Sequence, residues 1–158
     1  MRRLVLVFAL ILVACSCLAE EPASAPSWAG IRHERAGWTL RIVNVERRTS
    51  VNLTDVLGTS TKGIVGTVSP PPGTEYLVVS LSGEAAEGAA EISFAKIAVI
   101  DASGLRHESM LTHLVLNAAK KIQLIPTPVP VGSDIRAFEL DGLRWPLLTG
   151  APAPAETK

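Results

Sequence analysis

Beyond residue 17 this chain has no cysteine; its two thiols, Cys15 and Cys17, stand together near the start. The body of the chain therefore has no disulfide framework, no cysteine-built zinc site and no catalytic thiol, so the fold must rest on its apolar core. Aromatic residues make up 4% of the chain and charged ones 19%. No long helical periodicity and no internal repeat is present. The longest apolar run, Leu4 to Ala14, has 11 residues, well short of the ~20 that a membrane-spanning helix needs. Basic charge is not in excess. With Arg2 and Arg3 set aside, thirteen basic residues face fifteen acidic ones, a net charge near −2. A nucleic-acid binder would show a basic stripe instead, and Arg47-Arg48, beside Glu46, is only a local pair. No Gly-x-Ser-x-Gly elbow and no His-Glu-x-x-His pair occurs. Gly58 to Gly63 lacks the Gly-Lys-Ser/Thr register of a phosphate loop.

What is present begins at the first residue. Arg2-Arg3, the apolar run and Leu12-Val13-Ala14-Cys15 resemble a bacterial lipoprotein signal, with a small residue before a cysteine that can take a diacylglycerol. The expectation is a signal peptide over 1–14 and a lipidated N-terminus on Cys15, whose several acyl chains would give a stable anchor. Ser16, in a Gram-negative host, resembles an outer-membrane sorting residue, which would place the protein on the periplasmic face of that membrane. A competing cut after Ala19 would discard both cysteines and release a soluble, secreted protein. Residues 15–36 are expected to be the lipidated N-terminus and tether, because Glu20 to Ser27 is acidic, proline-bearing and aperiodic. Residues 150–158, with Pro152 and Pro154, read as a disordered tail.

Between them, valine, isoleucine, threonine and leucine runs alternate with glycine and proline, the pattern of an all-β domain. Trp38, Leu40 and Ile42 alternate with polar neighbours over Trp38 to Val45, giving a strand with one buried face. Glu75 to Ser82 is apolar on both faces, which suggests an interior strand. Ile92 to Ile100 changes phase near Ala95-Lys96, which reads as a bulge. Asp101 to Gly104 is a tight turn that returns Leu105 to Ser109 onto the preceding strand. Leu111 to Leu116, Lys121 to Ile125 and Ile135 to Leu140 complete seven or eight strands, the number of an immunoglobulin-like antiparallel β-sandwich over 37–149. Pro126, Pro128 and Pro130 cannot feed a full ladder, so that segment belongs at an edge or in a connection. Glu46 to Lys62 reads as a long polar loop, of the kind that is either functional or disordered.

Three segments carry a family resemblance. Pro72-Gly73 followed by Glu75-Tyr76-Leu77-Val78-Val79-Ser80-Leu81 resembles the central strand of an immunoglobulin-like domain of bacterial secreted lipoproteins, the group that includes the mycobacterial immunoprotective extracellular protein. Ile97 to Asp101 with Gly104 is similar to its hairpin, and Pro130-Val131-Gly132-Ser133, leading to Phe138 and Leu140, to its last turn and strand. The resemblance spans about residues 37–141. It departs at Ser82-Gly83, where the family commonly has asparagine. It implies a fold rather than an activity.

The leading expectation is a non-enzymatic binding or structural module of the cell envelope, anchored to the membrane through Cys15, with another envelope protein as partner and no cofactor. Sandwiches present recognition on loops at their ends, which points to Arg47, Arg48, Asn52, Asp55 and Lys62, with Trp145 near the end of the domain. The alternative is a periplasmic copper carrier using His107, Met110 and His113, since imidazole and thioether suit copper. On a continuous strand, however, Met110 would point away from the two histidines.

Overall fold

The computed structural model describes residues 25–57, 66–117 and 122–147. The described chain forms β1 (Arg32–Arg35), β2 (Trp38–Arg48), β3 (Val51–Asn52), α1 (Leu53–Leu57), β4 (Thr67–Val68), β5 (Thr74–Ala85), β6 (Ile92–Phe94), β7 (Ile97–Asp101), β8 (Arg106–Glu108), β9 (Leu114–Leu116), β10 (Ile122–Pro130), β11 (Ile135–Leu140) and β12 (Leu143–Pro146). Two four-stranded sheets hold most of them, in the orders β1-β2-β5-β10 and β12-β11-β7-β8, with two-stranded ribbons β3-β4 and β6-β9 beside them. Every pairing among the described strands is antiparallel. The chain passes from the first sheet to the second after β5, returns at β10 and crosses again to β11. That sheet-switching order is immunoglobulin-like.

The period of two in the sequence decides which side chains meet. Trp38, Leu40 and Ile42 of β2 and Leu77, Val79 and Leu81 of β5 face Val99, Phe138, Leu140 and Trp145 of the other sheet, all nearly or fully buried. The β2–β5 register shifts between Ile42 and Asn44. This bulge leaves Val43 39% exposed and turns Val45 back toward the core. β5 is buried on its other face too. There Tyr76 and Val78 pack with Val51 and Val56 in a second, smaller cluster, which accounts for a strand that reads apolar on both sides.

Several expectations move. The segment from Glu46 is not a long loop: Glu46–Arg48 end β2 and Val51–Leu57 supply β3 and α1. They cover the outer face of β5, while Lys62 lies outside the described residues. The folded part starts before residue 37, because β1 runs over Arg32–Arg35 and Trp28 and Ile31 pack against the core. β5 continues to Ala85, so Gly83 to Ala85 belong to strand. The phase change at Ala95-Lys96 is a break at which the chain leaves its pairing with β9 and joins β11. β1 and β12 are held by two-residue turns whose residues all have positive φ, Ala36 (50°) with Gly37 (81°) and Asp141 (46°) with Gly142 (87°). This handedness matches the twist of the paired strands. The prolines of β10 sit on an edge strand as the sequence suggested. The Pro126 carbonyl points outward and accepts from Met110 N (3.1 Å) and Ser109 Oγ (2.9 Å). The ring nitrogens at 126, 128 and 130 therefore lie along the outer edge, where no ladder needs an N–H.

Candidate functional site

The outer face of the second sheet carries a row of residues set by register: Arg144 opposite Glu139, Glu139 opposite Ala98, Ala98 opposite Glu108. Arg106, one step along β8, reaches both acids. Its Nε donates to Glu108 Oε1 (2.8 Å) and its Nη1 to Glu139 Oε2 (2.6 Å). The guanidinium thus spans the space above Ala98, which is fully buried although it points outward. A larger side chain there would displace it. Glu108 first, and Glu139 after it, raise the Arg106 pKa above its ordinary value. Arg144 Nη1 approaches Glu139 at 3.5 Å and stays mostly exposed.

Beside this row opens a hollow of about 810 Å3, lined by Arg35, Lys96, Arg106, Glu108, Glu139 and Asp141. Its far wall is built by the β11–β12 turn. Asp141 Oδ1 accepts from Lys96 N (2.8 Å), both carboxylate oxygens meet Ala95 N (3.3 Å), and Asp141 N donates to Lys96 O (2.8 Å). One carboxylate thereby satisfies the two amides freed where β6 breaks from β7. Arg35 Nη1 donates to the Asp141 carbonyl (3.2 Å), and its guanidinium lies 5.5 Å from the Phe94 ring centroid. The hollow therefore presents both signs of charge in an open setting. It suits a charged or zwitterionic surface better than a buried apolar ligand.

The residues singled out by sequence lie elsewhere. Arg47 is a brace: it pairs with Glu75 and donates to the Ser133 carbonyl, while Glu75 also accepts from Gly132 N (3.1 Å). This half-buried group ties the β10–β11 turn to β5. Arg48 pairs with Glu46 (2.5 Å). Asn52 Oδ1 accepts from Thr54 N (2.8 Å) at the start of α1, and Asp55 is exposed in its first turn. Trp145 is no surface platform. It is fully buried, meets the His33 ring edge-on (centroids 4.4 Å, interplanar 84°) and lies 5.6 Å from Phe138. Cys15 lies outside the described residues.

His107, Met110 and His113 have separate engagements. His107 Nε2 meets Asp101 Oδ2 at 2.9 Å, Met110 packs on the smaller cluster and His113 is exposed. No group of three or more His, Cys, Asp or Glu suited to a metal occurs among the described residues. Asp101 also accepts from Ser103 Oγ (2.6 Å), Ser103 N (2.9 Å) and Leu105 N (3.0 Å). The Ser103 hydroxyl, with His107 second, lowers the Asp101 pKa to about 2. Serine, aspartate and histidine are all present in this chain of bonds, but the hydroxyl donates to the carboxylate. In the hydrolase arrangement the imidazole faces the hydroxyl.

The fold and site define an all-β, antiparallel β-sandwich with a mixed-charge hollow on one outer face. No family model matches the chain and no curated protein matches it. Among solved structures it is similar to the crystal structure of an uncharacterised β-sandwich protein from Clostridium difficile 630, at 10% identity and a TM-score of 0.45, over 73% of this chain and 87% of that one.

Proposed function

We propose that the protein is an exported, lipid-anchored component of the cell envelope whose immunoglobulin-like sandwich is a non-enzymatic binding or structural module for another envelope protein. The observation that carries this reading is the Arg2-Arg3, apolar run and Leu12-Val13-Ala14-Cys15 arrangement placed ahead of a tether and a rigid sandwich. The Arg106, Glu108 and Glu139 row on the outer face of the second sheet is the surface it would offer to a partner. Likeness to the domain of bacterial secreted lipoproteins belongs to the same proposal. Its support is local: Thr74 N bonds Pro71 O ahead of β5, Asp101 organises the β7–β8 hairpin, and Ser133 N bonds Pro130 O in the last cross-sheet turn. The copper-carrier alternative has gained no supporting contact, since His107 is bonded to Asp101 and Met110 packs on apolar side chains.

The test is incorporation of labelled palmitate in the producing cell, with membrane fractionation, for the native chain and for Cys15→Ser and Cys17→Ser. The expected result is label and membrane association lost in Cys15→Ser alone. Absence of label from the native chain, with the protein in the soluble fraction, would overturn the anchor and leave the secreted alternative.

A further inference from the structure

β1 and β12 are the edge strands of opposite sheets, and their seam closes one side of the sandwich. Side chains bonded to backbone carbonyls lace it: Ser27 Oγ to Pro146 O (3.1 Å), His33 Nε2 to Arg144 O (2.9 Å) and Arg35 Nη1 to Asp141 O (3.2 Å). The polypeptide therefore enters the fold at this seam. Ser27 lies twelve residue steps beyond Cys15, a reach of at most about 40 Å when fully extended. A lipid on Cys15 would keep the seam within that distance of a bilayer.

The charges divide unevenly around the molecule. Of the described arginines and lysines, six have a carboxylate within ion-pair distance: Arg41, Arg47, Arg48, Arg106, Arg136 and Arg144. The three in no ion pair are Arg32, Arg35 and Lys96, and all three border the seam. Arg32 and Arg35 are on β1, and Lys96 is bonded through its backbone to Asp141 in the turn that leads into β12. Arg144, 59% exposed, adds a fourth cation on β12 itself. Of the acids on this side, Asp141 is bonded to backbone amides, Glu139 is shared by two arginines, Glu108 is paired with Arg106, and Glu34 on β1 is exposed. Other exposed acids, such as Asp55 and Glu87, belong to α1 and to the turn after β5.

We propose that this seam is a membrane-docking face, on which Arg32, Arg35, Lys96 and Arg144 meet the anionic headgroups of the bilayer that holds the lipid. The place of the bilayer rests on the anchor reading; the charge distribution does not. Docking would turn the seam toward the membrane and leave the Glu75–Arg47 end and α1 facing away from it. A chain with net charge near −2 needs such an uneven distribution to approach an anionic surface.

The experiment uses the chain from Glu20 onward, which keeps every described residue and carries neither cysteine, so it is independent of lipidation. Co-sedimentation at low ionic strength is measured with vesicles of phosphatidylcholine alone and of phosphatidylcholine mixed with phosphatidylglycerol. Circular dichroism checks that each variant is folded. The expected result is binding to the anionic vesicles only, abolished by salt. Arg32→Glu and Lys96→Glu should each weaken it about tenfold or more, while Arg48→Glu, the same charge change on the outer face of β2, leaves it within about twofold. No binding to anionic vesicles, equal binding to neutral ones, or equal loss in Arg48→Glu would overturn the docking face. Should it instead bind a protein of the envelope extract through the same residues, with no vesicle binding, the face is a protein interface and the proposal fails. Palmitate labelling of Cys15 fails or succeeds separately, so the two readings cannot be confused.

Discussion

Asp101 shows how much one side chain can organise when its neighbours are all donors. Two backbone amides, one hydroxyl and one imidazole converge on its two oxygens. The charged form is favoured, and the pKa falls from an ordinary 3.8 to about 2. A carboxyl whose folded value is depressed contributes stability that is present above its unfolded pKa and is lost as pH falls through the folded one. The native chain should therefore lose this contribution between about pH 4 and pH 2. Asp101→Ala should unfold at a lower temperature than the native chain at neutral pH, and the gap should narrow through that window. Thermal unfolding of both chains across the pH series checks it, and a gap that stays constant down to pH 2 would assign the effect to the turn's geometry rather than to its charge. The sequence made this residue legible as a turn former, since an aspartate two residues before Ser103 and three before a glycine has few other roles. It did not reveal the imidazole bond, which depends on β8 folding back.

At the scale of the element, β5 is the clearest case of sequence dictating place. Its apolar residues on both faces require cover on both sides, and the second cover proved to be β3 and α1. The segment supplying that cover read as a loop because its apolar residues, Val51, Leu53, Val56 and Leu57, fit neither period for long enough. β1 and β12 were hidden for another reason. Arg-His-Glu-Arg has no apolar alternation, and its inward residues, His33 and Arg35, meet the other sheet through polar ends. The Asp141-Gly142 pair was the available signal for β12, being the dipeptide that a two-residue hairpin favours. The mixed-charge hollow was not legible at all, since it joins residues from β1, the β6–β7 break, β8 and β11, and only strand order brings them together. Gly83 gives β5 a second constraint. A Cβ there would stand 2.9 Å from Leu116 Cδ1 and 3.0 Å from Trp38 Cε3, so the indole occupies the space that any other residue would claim. Gly83→Ala should destabilise the protein by about 1–3 kcal/mol through overpacking. In a double-mutant cycle Trp38→Phe, which removes part of the bulk, should recover a portion of that loss. Equilibrium urea unfolding measures both, and strict additivity of the two changes would show that the close approach is not the cause.

For the whole molecule, the question is what makes two sheets behave as one body without a disulfide among the described residues. On one side Ser109 and Met110, directly after β8, bond the outward carbonyl of β10 at Pro126. On the other, the β1–β12 seam is closed by side chains, and Trp145 is its centre. That indole packs on Phe138 of its own sheet and against His33 of the other, with no exposed surface. Its ring nitrogen has no hydrogen-bond partner among the described residues, so within them the residue contributes through area and shape rather than through its polar handle. Both ends of the described chain meet there, since Ser27 bonds Pro146 and Leu147, fully buried, donates its N–H to Arg136 O (2.7 Å). Opening the seam would expose the interior between the sheets, so its loss should be felt globally rather than as fraying of one strand. Trp145→Ala is expected to cost about 3–5 kcal/mol. Circular dichroism and the fluorescence of the remaining tryptophans should still report one coincident urea transition, because the core is shared. A loss below about 1 kcal/mol, or two separated transitions, would mean that β12 is a dispensable edge and that the sandwich is held by its other side alone.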